Sequence, residues 1–357
     1  MIPQRTLRGR PVSILGLGCS SFSSFFDDND FELHPDDPTV RSWIATIKYA
    51  VEEAGICLLD TAPWYGHGIS ETVVGWALQD MDTSRLIVQT KVGRYEADPA
   101  LQFDFSYDKT LASAQQSFEK LGRVDVLQLH DPEFAPSLMI LLDETIPAMI
   151  ECQRRGYCEY LGVTGYPLSV QLQILKASQE KFGKHVFAQT LTYGHYNLHD
   201  SSLVTSELWK YCRDAPIDVL AAAPLSMGLL TPSPPPEWHP ASQDLVEACR
   251  SAHEHCEDIV ELALLYALSQ SEIPCTLLGM RSIEQVKNAV RIAERTRPTL
   301  EEALTASEKR SLDVLRDDSS GPFAGVWKSG KYQWDGIAEA NKFWKQLPHA
   351  KVDKWQI

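Results

Sequence analysis

The sequence predicts an α/β protein in which eight short parallel strands, each followed by a helix, close into a (β/α)8 barrel. Eight short apolar segments recur along the 357 residues, and stretches with apolar residues at helical spacing separate them. A chain of this length with 44% apolar residues can bury a large core, in two ordinary domains or in one barrel. The alternation of strand and helix patterns favours the single parallel barrel.

The elements follow one another in chain order. The first strand ends at Gly16 and Gly18, and the first helix shows Trp43, Ile44 and Ile47 at helical spacing. The predicted strands are residues 13–18, 56–60, 86–91, 124–130, 160–165, 186–191, 218–224 and 276–280. The predicted helices lie near residues 40–53, from 70, 108–120, 142–155, 168–180, 203–212 and from 282, with two helical segments after a proline-rich excursion at 232–240.

An open, doubly wound sheet is the main structural alternative. It would carry a GxGxxG turn after a strand, with an acidic residue about 20 positions later. Residues 16–21, GLGCSS, lack the third glycine. We therefore expect residues 1–318 to form one barrel domain with extended loops. Residues 319–357 should form a C-terminal tail, which contains Trp327, Trp334, Trp344 and Trp355 and is expected to pack on the barrel or at its mouth.

The charge of the chain disfavours some partners. It has 33 basic and 48 acidic residues, a formal net charge of -15, which disfavours nucleic acid and anionic membranes as partners. The sequence contains no apolar run of about 18 residues, and the N-terminus has no apolar signal core. We expect a cytoplasmic enzyme that acts on a small molecule; no pattern indicates an oligomeric state.

The cysteines give no metal or disulfide pattern. The chain has 8 cysteines and no CxxC pair, so reduced thiols are expected. His253, His255 and Cys256 do not share one helical face, and a solvated helix explains them better than a metal site. We predict no bound metal.

Four polar residues are placed to carry chemistry. Asp60, Lys91 and His130 end the second, third and fourth predicted barrel strands, and Tyr65 follows Asp60 in a Pro/Gly loop. The carboxyl ends of barrel strands converge on one mouth. A nearby ammonium lowers the pKa of a phenol, so Lys91 should activate Tyr65 for proton transfer. Asp60 would pair with Lys91, and His130 would orient a substrate oxygen.

Each of these residues also has an ordinary structural explanation. Asp60 could cap a loop, Tyr65 could pack in its turn, Lys91 could be solvated, and His130 could bond locally to Asp131. Their occurrence at consecutive strand ends favours a shared site.

Several motifs resemble the aldo-keto reductases. The resemblance covers residues 16–290 and rests on residues 60–66 (DTAPWYG), 90–94 (TKVGR), 129–131 (LHD), 162–165 (GVTG) and 224–230 (PLSMGLL). Within that family, residues 91–95 (KVGRY), 130–134 (HDPEF) and 236–242 (PEWHPAS) are similar to the branch of L-galactose dehydrogenases and fungal D-arabinose dehydrogenases.

The resemblance implies a TIM barrel that binds NAD(P) in an extended conformation. By this resemblance Tyr65 is the acid/base, Lys91 and Asp60 tune it, and His130 positions the substrate. The positions matching the family's cofactor site are Gly18, Cys19, Ser20, Thr164, Gln189, Pro224, Leu225, Ser226, Met227, Gly228, Leu229, Gly279, Met280, Arg281, Ser282, Gln285 and Asn288, with Thr164 and Gln189 at the nicotinamide carboxamide. Substrate choice is expected to depend on Phe22, Trp64, Tyr95, Asp131 and the tail.

Two departures from the family pattern bear on the cofactor. Ala221, Ala222 and Ala223 stand where many members carry an aromatic residue that stacks on nicotinamide. Gly279 and Gln285 stand where NADP-dependent members often carry cations. These differences favour NAD, with NADP possible through Arg281.

The reaction we expect is the oxidation of an aldose at C1 to the aldonolactone, with a sugar of the L-galactose, D-arabinose or L-fucose type as substrate. NADPH-dependent reduction of an aldehyde or ketone is the enzymatic alternative. A cofactor-binding regulatory subunit without catalysis is the non-enzymatic one, because fold alone does not fix function.

Overall fold

The parallel strands close into a barrel. A computed structural model describes residues 2–23, 31–96, 98, 101–235, 239 and 241–324. Its strands are Gln4–Leu7 (β1), Arg10–Ser13 (β2), Leu15–Gly18 (β3), Leu58–Asp60 (β4), Ile87–Val92 (β5), Val126–His130 (β6), Tyr160–Gly165 (β7), Gln189–Tyr193 (β8), Asp218–Ala222 (β9) and Thr276–Gly279 (β10). Strands β3 to β10 pair in parallel in chain order, and β10 pairs with β3 to close the barrel. The predicted (β/α)8 fold is confirmed.

Helices separate the barrel strands and cover the barrel. They are Pro38–Lys48 (α1), Ile69–Leu78 (α2), Tyr107–Leu121 (α3), Leu138–Ile140 (α4), Ile146–Arg154 (α5), Leu168–Phe182 (α6), Ser202–Thr205 (α7), Glu207–Asp214 (α8), Gln243–Glu254 (α9), Ile259–Leu268 (α10), Ile283–Ala293 (α11), Leu300–Ala303 (α12) and Ala306–Leu315 (α13). A π-helical turn, Leu141–Thr145, joins α4 to α5. The predicted element boundaries agree with these within a few residues. Strand β8 begins at Gln189, three residues later than predicted, and this difference affects the site.

A β-hairpin at the N-terminus was not predicted. Strands β1 and β2 pair antiparallel and are joined by Arg8 and Gly9, which both have positive φ. Leu7 and Val12 of the hairpin are completely buried in a cluster with residues of β4, β5 and β8 to β10. Since these strand residues line the inside of the barrel, the hairpin closes its N-terminal end.

Two further observations concern the described residues. None of the helices in the described ranges is long and apolar enough to cross a membrane. All eight cysteines lie in those ranges, and each is a free thiol. The tail beyond residue 324, with its four tryptophans, lies outside the described residues, as do residues 236–238 and 240 of the proline-rich excursion.

The first testable prediction concerns the contact between α2 and α3. A Cβ added to Gly75 in α2 would lie 2.2 Å from the carbonyl oxygen of Lys120 in α3. Replacing glycine by alanine inside a helix ordinarily stabilises it by about 1 kcal/mol. Because the carbonyl belongs to backbone, Gly75→Ala should instead lower the free energy of unfolding, measured in urea, by about 1–3 kcal/mol.

Gln79→Ala is the matched control. Gln79 is exposed at the end of the same helix, so its replacement should change stability by less than about 0.5 kcal/mol. A Gly75→Ala protein more stable than the parent would show that α2 and α3 do not require this close approach.

Candidate active site

The four residues predicted from strand-end spacing meet at the barrel mouth. Asp60 ends β4, His130 ends β6, and Lys91 is the next-to-last residue of β5. Tyr65 lies in the loop between β4 and α2. Lys91 Nζ is 2.6 Å from Asp60 Oδ1 and 4.5 Å from the centroid of the Tyr65 ring. The ring centroids of Tyr65 and His130 are 6.0 Å apart.

The Lys91 ammonium is held by oxygen acceptors. Lys91 is 1% exposed, and its Nζ also donates to the carbonyl oxygen of Thr61 at 2.8 Å. Asp60 Oδ2 accepts a hydrogen bond from Gln128 Nε2 at 3.0 Å. Burial lowers the pKa of Lys91, but Asp60 and Tyr65 raise it by more, so its pKa lies above the ordinary value. Lys91 therefore stays protonated, as a buried cation can when it is paired.

The phenol of Tyr65 is less acidic than expected from the sequence. Burial raises the pKa of Tyr65 to about 12, and Lys91 offsets only part of that rise. Lys91 lowers the pKa of Tyr65 as expected, but the net shift is upward because burial, with a smaller contribution from the Asp60 charge, raises the pKa by more. Tyr65 is accordingly a protonated hydrogen-bond donor at neutral pH.

His130 is a neutral imidazole at the mouth. Burial lowers the pKa of His130 to about 3, and Asp131 counteracts this only partly. His130 Nε2 lies 3.6 Å from Asp131 Oδ2. A neutral ring can donate from one nitrogen and accept at the other, which suits it to orient a hydroxyl or a carbonyl oxygen.

Arg94 belongs to the motif at residues 90–94, but no role at the mouth was predicted for it. Its Nη1 donates to Asp131 Oδ2 at 2.6 Å and its Nε to Gln102 Oε1 at 2.9 Å. Its guanidinium carbon lies 3.4 Å from the centroid of the Trp64 ring. The guanidinium thus fixes both a carboxylate and an indole beside His130. Gly93, at φ +112 directly after β5, was the available signal for a sharp turn into the mouth.

Two of the predicted substrate residues lie elsewhere. Phe22 is completely buried, with its ring centroid 6.4 Å from that of Trp43 in α1. Tyr95 is 5% exposed and faces α3, where Lys109 Nζ lies 4.8 Å from its ring. Both predictions need correction because these side chains pack between the barrel and its helices. Trp64 and Asp131 do lie at the mouth, and their substrate contacts stay predictions.

The prediction for Gln189 also needs correction. The apolar run at 186–188 suggested a strand over 186–191, which would place Gln189 near its carboxyl end. Strand β8 instead begins at Gln189. Gln189 Oε1 accepts from Arg8 of the hairpin at 2.7 Å, so it lies at the opposite end of the barrel from the mouth and cannot reach a nicotinamide there.

Tyr193 takes the mouth position of β8. Burial, with the charges of Asp131 and Glu133, raises the pKa of Tyr193 well above its ordinary value. Tyr193 is in register with Ala222 of β9. The ring of Tyr193 therefore lies on the strand next to Ala221 and Ala222. These alanines stand where many aldo-keto reductases carry the aromatic residue that stacks on nicotinamide. Because the predicted strand ended at residue 191, the sequence did not indicate that Tyr193 lies at the mouth.

The other predicted cofactor residues follow one edge of the mouth. Gly18 and Gly279 are in register at the ends of β3 and β10. A Cβ added to Gly279 would have no neighbour closer than 3.9 Å. Ser282 caps the N-terminus of α11, and Gln285 Oε1 accepts from the backbone N–H of Arg281 at 2.7 Å. Open backbone at a helix N-terminus is suited to bind an anionic group.

These residues differ in accessibility. Gly279, Gln285 and Asn288 are exposed; Gly18, Ser20, Leu225, Met227, Gly228, Arg281 and Ser282 are half-buried; Cys19, Thr164, Pro224, Ser226, Leu229 and Met280 are buried.

The loop after β9 is a tight turn with strained backbone. Ser226, Met227 and Gly228 have successive φ values of 50°, 51° and 106°. The N–H groups of Ser226, Gly228 and Leu229 donate to the carbonyl oxygens of residues 223, 225 and 226, which holds the turn in this conformation. His199 Nε2 lies 2.8 Å from Ser226 Oγ, and His239 Nε2 lies 3.0 Å from Ser226 O. The pyrophosphate-binding role of residues 226–229 stays a prediction.

The chain is similar to known oxidoreductases. The aldo/keto reductase family profile matches residues 30–304. The chain is 37% identical over 290 residues to L-galactose dehydrogenase of Arabidopsis thaliana, covering 79% of this chain and 84% of that protein. It is 30% identical over 271 residues to D-arabinose 1-dehydrogenase of Saccharomyces cerevisiae, covering 72% and 78%. The structure of aldo-keto reductase AKR11C1 from Bacillus halodurans in its holo form aligns with a TM-score of 0.66 at 25% identity, covering 92% and 99%.

The second prediction tests the buried ion pair. Lys91→Met leaves the Asp60 carboxylate buried without its counter-ion, so the free energy of unfolding at pH 8 should fall by about 3–5 kcal/mol. Burial already raises the pKa of Asp60, and losing Lys91 raises it further. Asp60 therefore takes up a proton as the pH falls, and the loss of stability should be smaller at pH 5 than at pH 8.

The control for Lys91→Met is the double variant Asp60→Asn/Lys91→Met. It removes both charges and should recover most of the lost stability in urea denaturation. Equal instability of the single and double variants at pH 8 would mean that an uncompensated carboxylate is not the cause.

Proposed function

Because this chain belongs to the aldo/keto reductase family and is an NAD(P)-dependent oxidoreductase, we propose that it oxidises an aldose at C1 to the aldonolactone with NAD. The observation that carries the proposal is the similarity, over most of the barrel, to an L-galactose dehydrogenase and a D-arabinose 1-dehydrogenase. The proposed substrate is a sugar of the L-galactose, D-arabinose or L-fucose type.

In the proposed reaction the anomeric hydroxyl gives up its proton and C1 gives up a hydride. When bound, NAD supplies the hydride acceptor and a positive ring charge that favours the Tyr65 phenolate. The ionised Oη of Tyr65 accepts the hydroxyl proton, and Lys91 stabilises the phenolate before that transfer. Neutral His130 holds the reacting oxygen by a hydrogen bond. Asp60 keeps the ammonium of Lys91 in place at 2.6 Å.

A polyol substrate suits the side chains around His130. The carboxylate of Asp131 can accept hydrogen bonds from sugar hydroxyls, and the indole of Trp64 offers an apolar face to the C–H groups of a sugar ring. Arg94 holds the Asp131 carboxylate at 2.6 Å and stacks on Trp64. We propose that Asp131 and Trp64 form the sugar-binding side of the mouth.

We propose NAD as the preferred cofactor. Gly279 and Gln285 offer no positive charge where NADP-dependent members of the family often carry cations. Without these charges the 2′-phosphate of NADP loses charge-assisted hydrogen bonds. Arg281 is the nearby cation that could still support some NADP binding.

The third prediction concerns the reaction itself. Initial rates with NAD and L-galactose, D-arabinose or L-fucose should exceed those with NADPH and simple aldehydes. Tyr65→Phe removes the proton acceptor and should lower kcat by at least about 100-fold. Tyr95→Phe is the matched control, because Tyr95 lies under α3 and away from the mouth; its turnover should match the parent.

Each contrary outcome of this assay has a meaning. Turnover with NADPH and aldehydes alone would contradict the aldose proposal in favour of a carbonyl reductase. A folded protein that binds the cofactor but turns over no sugar or carbonyl would indicate a regulatory subunit. Unchanged turnover in Tyr65→Phe would contradict the role given to Tyr65.

The fourth prediction concerns cofactor choice. Gly279 has room for a side chain, so Gly279→Lys should place an ammonium near the 2′-phosphate of NADP. We expect the Kd for NADP, measured by protein fluorescence, to fall about tenfold relative to Gly279→Gln, with the Kd for NAD the same in both variants within about twofold. Equal NADP affinity in the Lys and Gln variants would show that the 2′-phosphate lies elsewhere.

A further inference from the structure

Three glutamines inside the barrel connect its closed end to the mouth. Gln89, Gln128 and Gln189 are completely buried. Arg8 Nη1, from the hairpin that closes the barrel, donates to Gln189 Oε1 at 2.7 Å. Gln189 Nε2 donates to Gln89 Oε1 at 2.8 Å and to Gln128 Oε1 at 3.2 Å. Gln128 Nε2 donates to Asp60 Oδ2 at 3.0 Å.

The two ends of this chain of hydrogen bonds fix its direction. A guanidinium is only a donor, so Gln189 must turn its carbonyl oxygen toward Arg8. Its amide N–H groups then face Gln128, which must present its own oxygen to them. The N–H groups of Gln128 consequently face Asp60, which is only an acceptor when ionised. Every donor in the chain therefore points from Arg8 toward the carboxylate of Asp60.

The backbone around these amides is shaped for them. Gly162 of β7 lies in register between Gln128 and Gln189. A Cβ added to Gly162 would lie 3.0 Å from Cγ of Gln189 and 3.1 Å from Cγ of Gln128, so a side chain there would crowd both glutamines. Arg8 has a φ of 49°, a backbone conformation that costs free energy for a residue other than glycine. Its guanidinium, which also lies 3.9 Å from Asp218, reaches Gln189 from this position.

We infer that Arg8, Gln189 and Gln128 form a directional hydrogen-bond relay that keeps Asp60 ionised and so positions Lys91 beside Tyr65. The inference deepens the proposed function, since it rests on the roles proposed there for Asp60, Lys91 and Tyr65. Gln128 and Gln189 are then positioning residues for the reaction: they touch neither substrate nor cofactor and act through Asp60. Hydrogen bonds to the charged form of a carboxyl favour that form.

The relay competes with several other groups for control of Asp60. Lys91 Nζ lies 2.6 Å from Oδ1 and favours the ionised carboxylate. Tyr65, Cys19 and Cys275 also interact with the Asp60 charge, each through its own ionisation equilibrium. Burial of these groups raises the pKa of all three, so they are neutral near pH 7. Gln89 also favours the ionised carboxylate of Asp60. Loss of a relay donor should consequently act on Asp60 and Lys91, against the remaining support from Gln89.

The fifth prediction concerns a substitution that reverses the hydrogen bonds of the relay and keeps the volume of the side chain. In Gln189→Glu the carboxylate pairs with Arg8 but has no N–H to donate, so Gln128 must turn its N–H groups toward residue 189 and its oxygen toward Asp60. The acid limb of the pH profile of kcat/KM, where activity is lost as the pH falls, should then shift to higher pH by about one unit. Turnover at pH 7 should fall about tenfold, and the Kd for NAD should stay within about twofold.

Gln189→Met is the matched variant. The Met side chain has a similar volume but no N–H or carbonyl group that would force Gln128 to turn. Gln128 can therefore keep its N–H groups on Asp60, and turnover should fall less than about threefold. Equal loss in the Met and Glu variants, or an unmoved acid limb in a folded Gln189→Glu protein, would overturn the inference.

Arg8→Met is a second variant that tests the relay if Gln189→Glu does not fold. Arg8 lies at the tip of the hairpin, and its loss removes the donor that sets the direction of Gln189. The acid limb should move in the same direction as in Gln189→Glu, by a smaller amount; an unchanged limb would count against the relay. The profiles are measured with the best substrate of the parent protein, sugar or aldehyde. Failure of sugar oxidation would then contradict the aldose proposal while the relay stays testable.

Discussion

The buried ion pair between Lys91 and Asp60 is the constraint on which the barrel mouth depends. Two charges removed from water lose their hydration, and they are stable there only with close geometry and further hydrogen bonds. The 2.6 Å contact, the Thr61 carbonyl and the Gln128 amide supply these. The same pair sets the electrostatics of Tyr65, because Lys91 lowers and Asp60 raises its pKa. The interior must therefore carry polar side chains beneath the mouth rather than a uniform apolar core.

The barrel and its four central residues could be predicted from the sequence because both depend on local patterns. Apolar strand segments that alternate with helical ones indicate a parallel barrel, and such a barrel brings the ends of its strands together. Asp60, Lys91 and His130 each lie at or next to the end of such a segment, so their meeting required no knowledge of side-chain packing. The motif resemblance added the cofactor and the reaction class.

The remaining features depend on contacts between distant parts of the chain. Strand β8 was placed three residues early because the run before Gln189 is apolar, whereas Gln189 itself faces the inside of the barrel. Only the partners Arg8, Gln89 and Gln128 explain why a glutamine begins that strand. Phe22 and Tyr95 are predicted substrate residues that lie away from the mouth. Which face of the barrel they occupy is decided by Trp43 and α3, which no local pattern reveals.

Strained backbone is concentrated at the loops that build the site and its support. Among the described residues, six other than glycine have positive φ: Arg8, His67, Asp131, Ala223, Ser226 and Met227. Each such residue costs of order 1 kcal/mol or more and persists only where surrounding contacts hold it. His67 lies in the loop of Tyr65, Asp131 holds its carboxylate against Arg94, and residues 223–227 lie in the turn after β9. Arg8 lies at the other end of the barrel, where the two-residue turn of the hairpin requires positive φ at both Arg8 and Gly9.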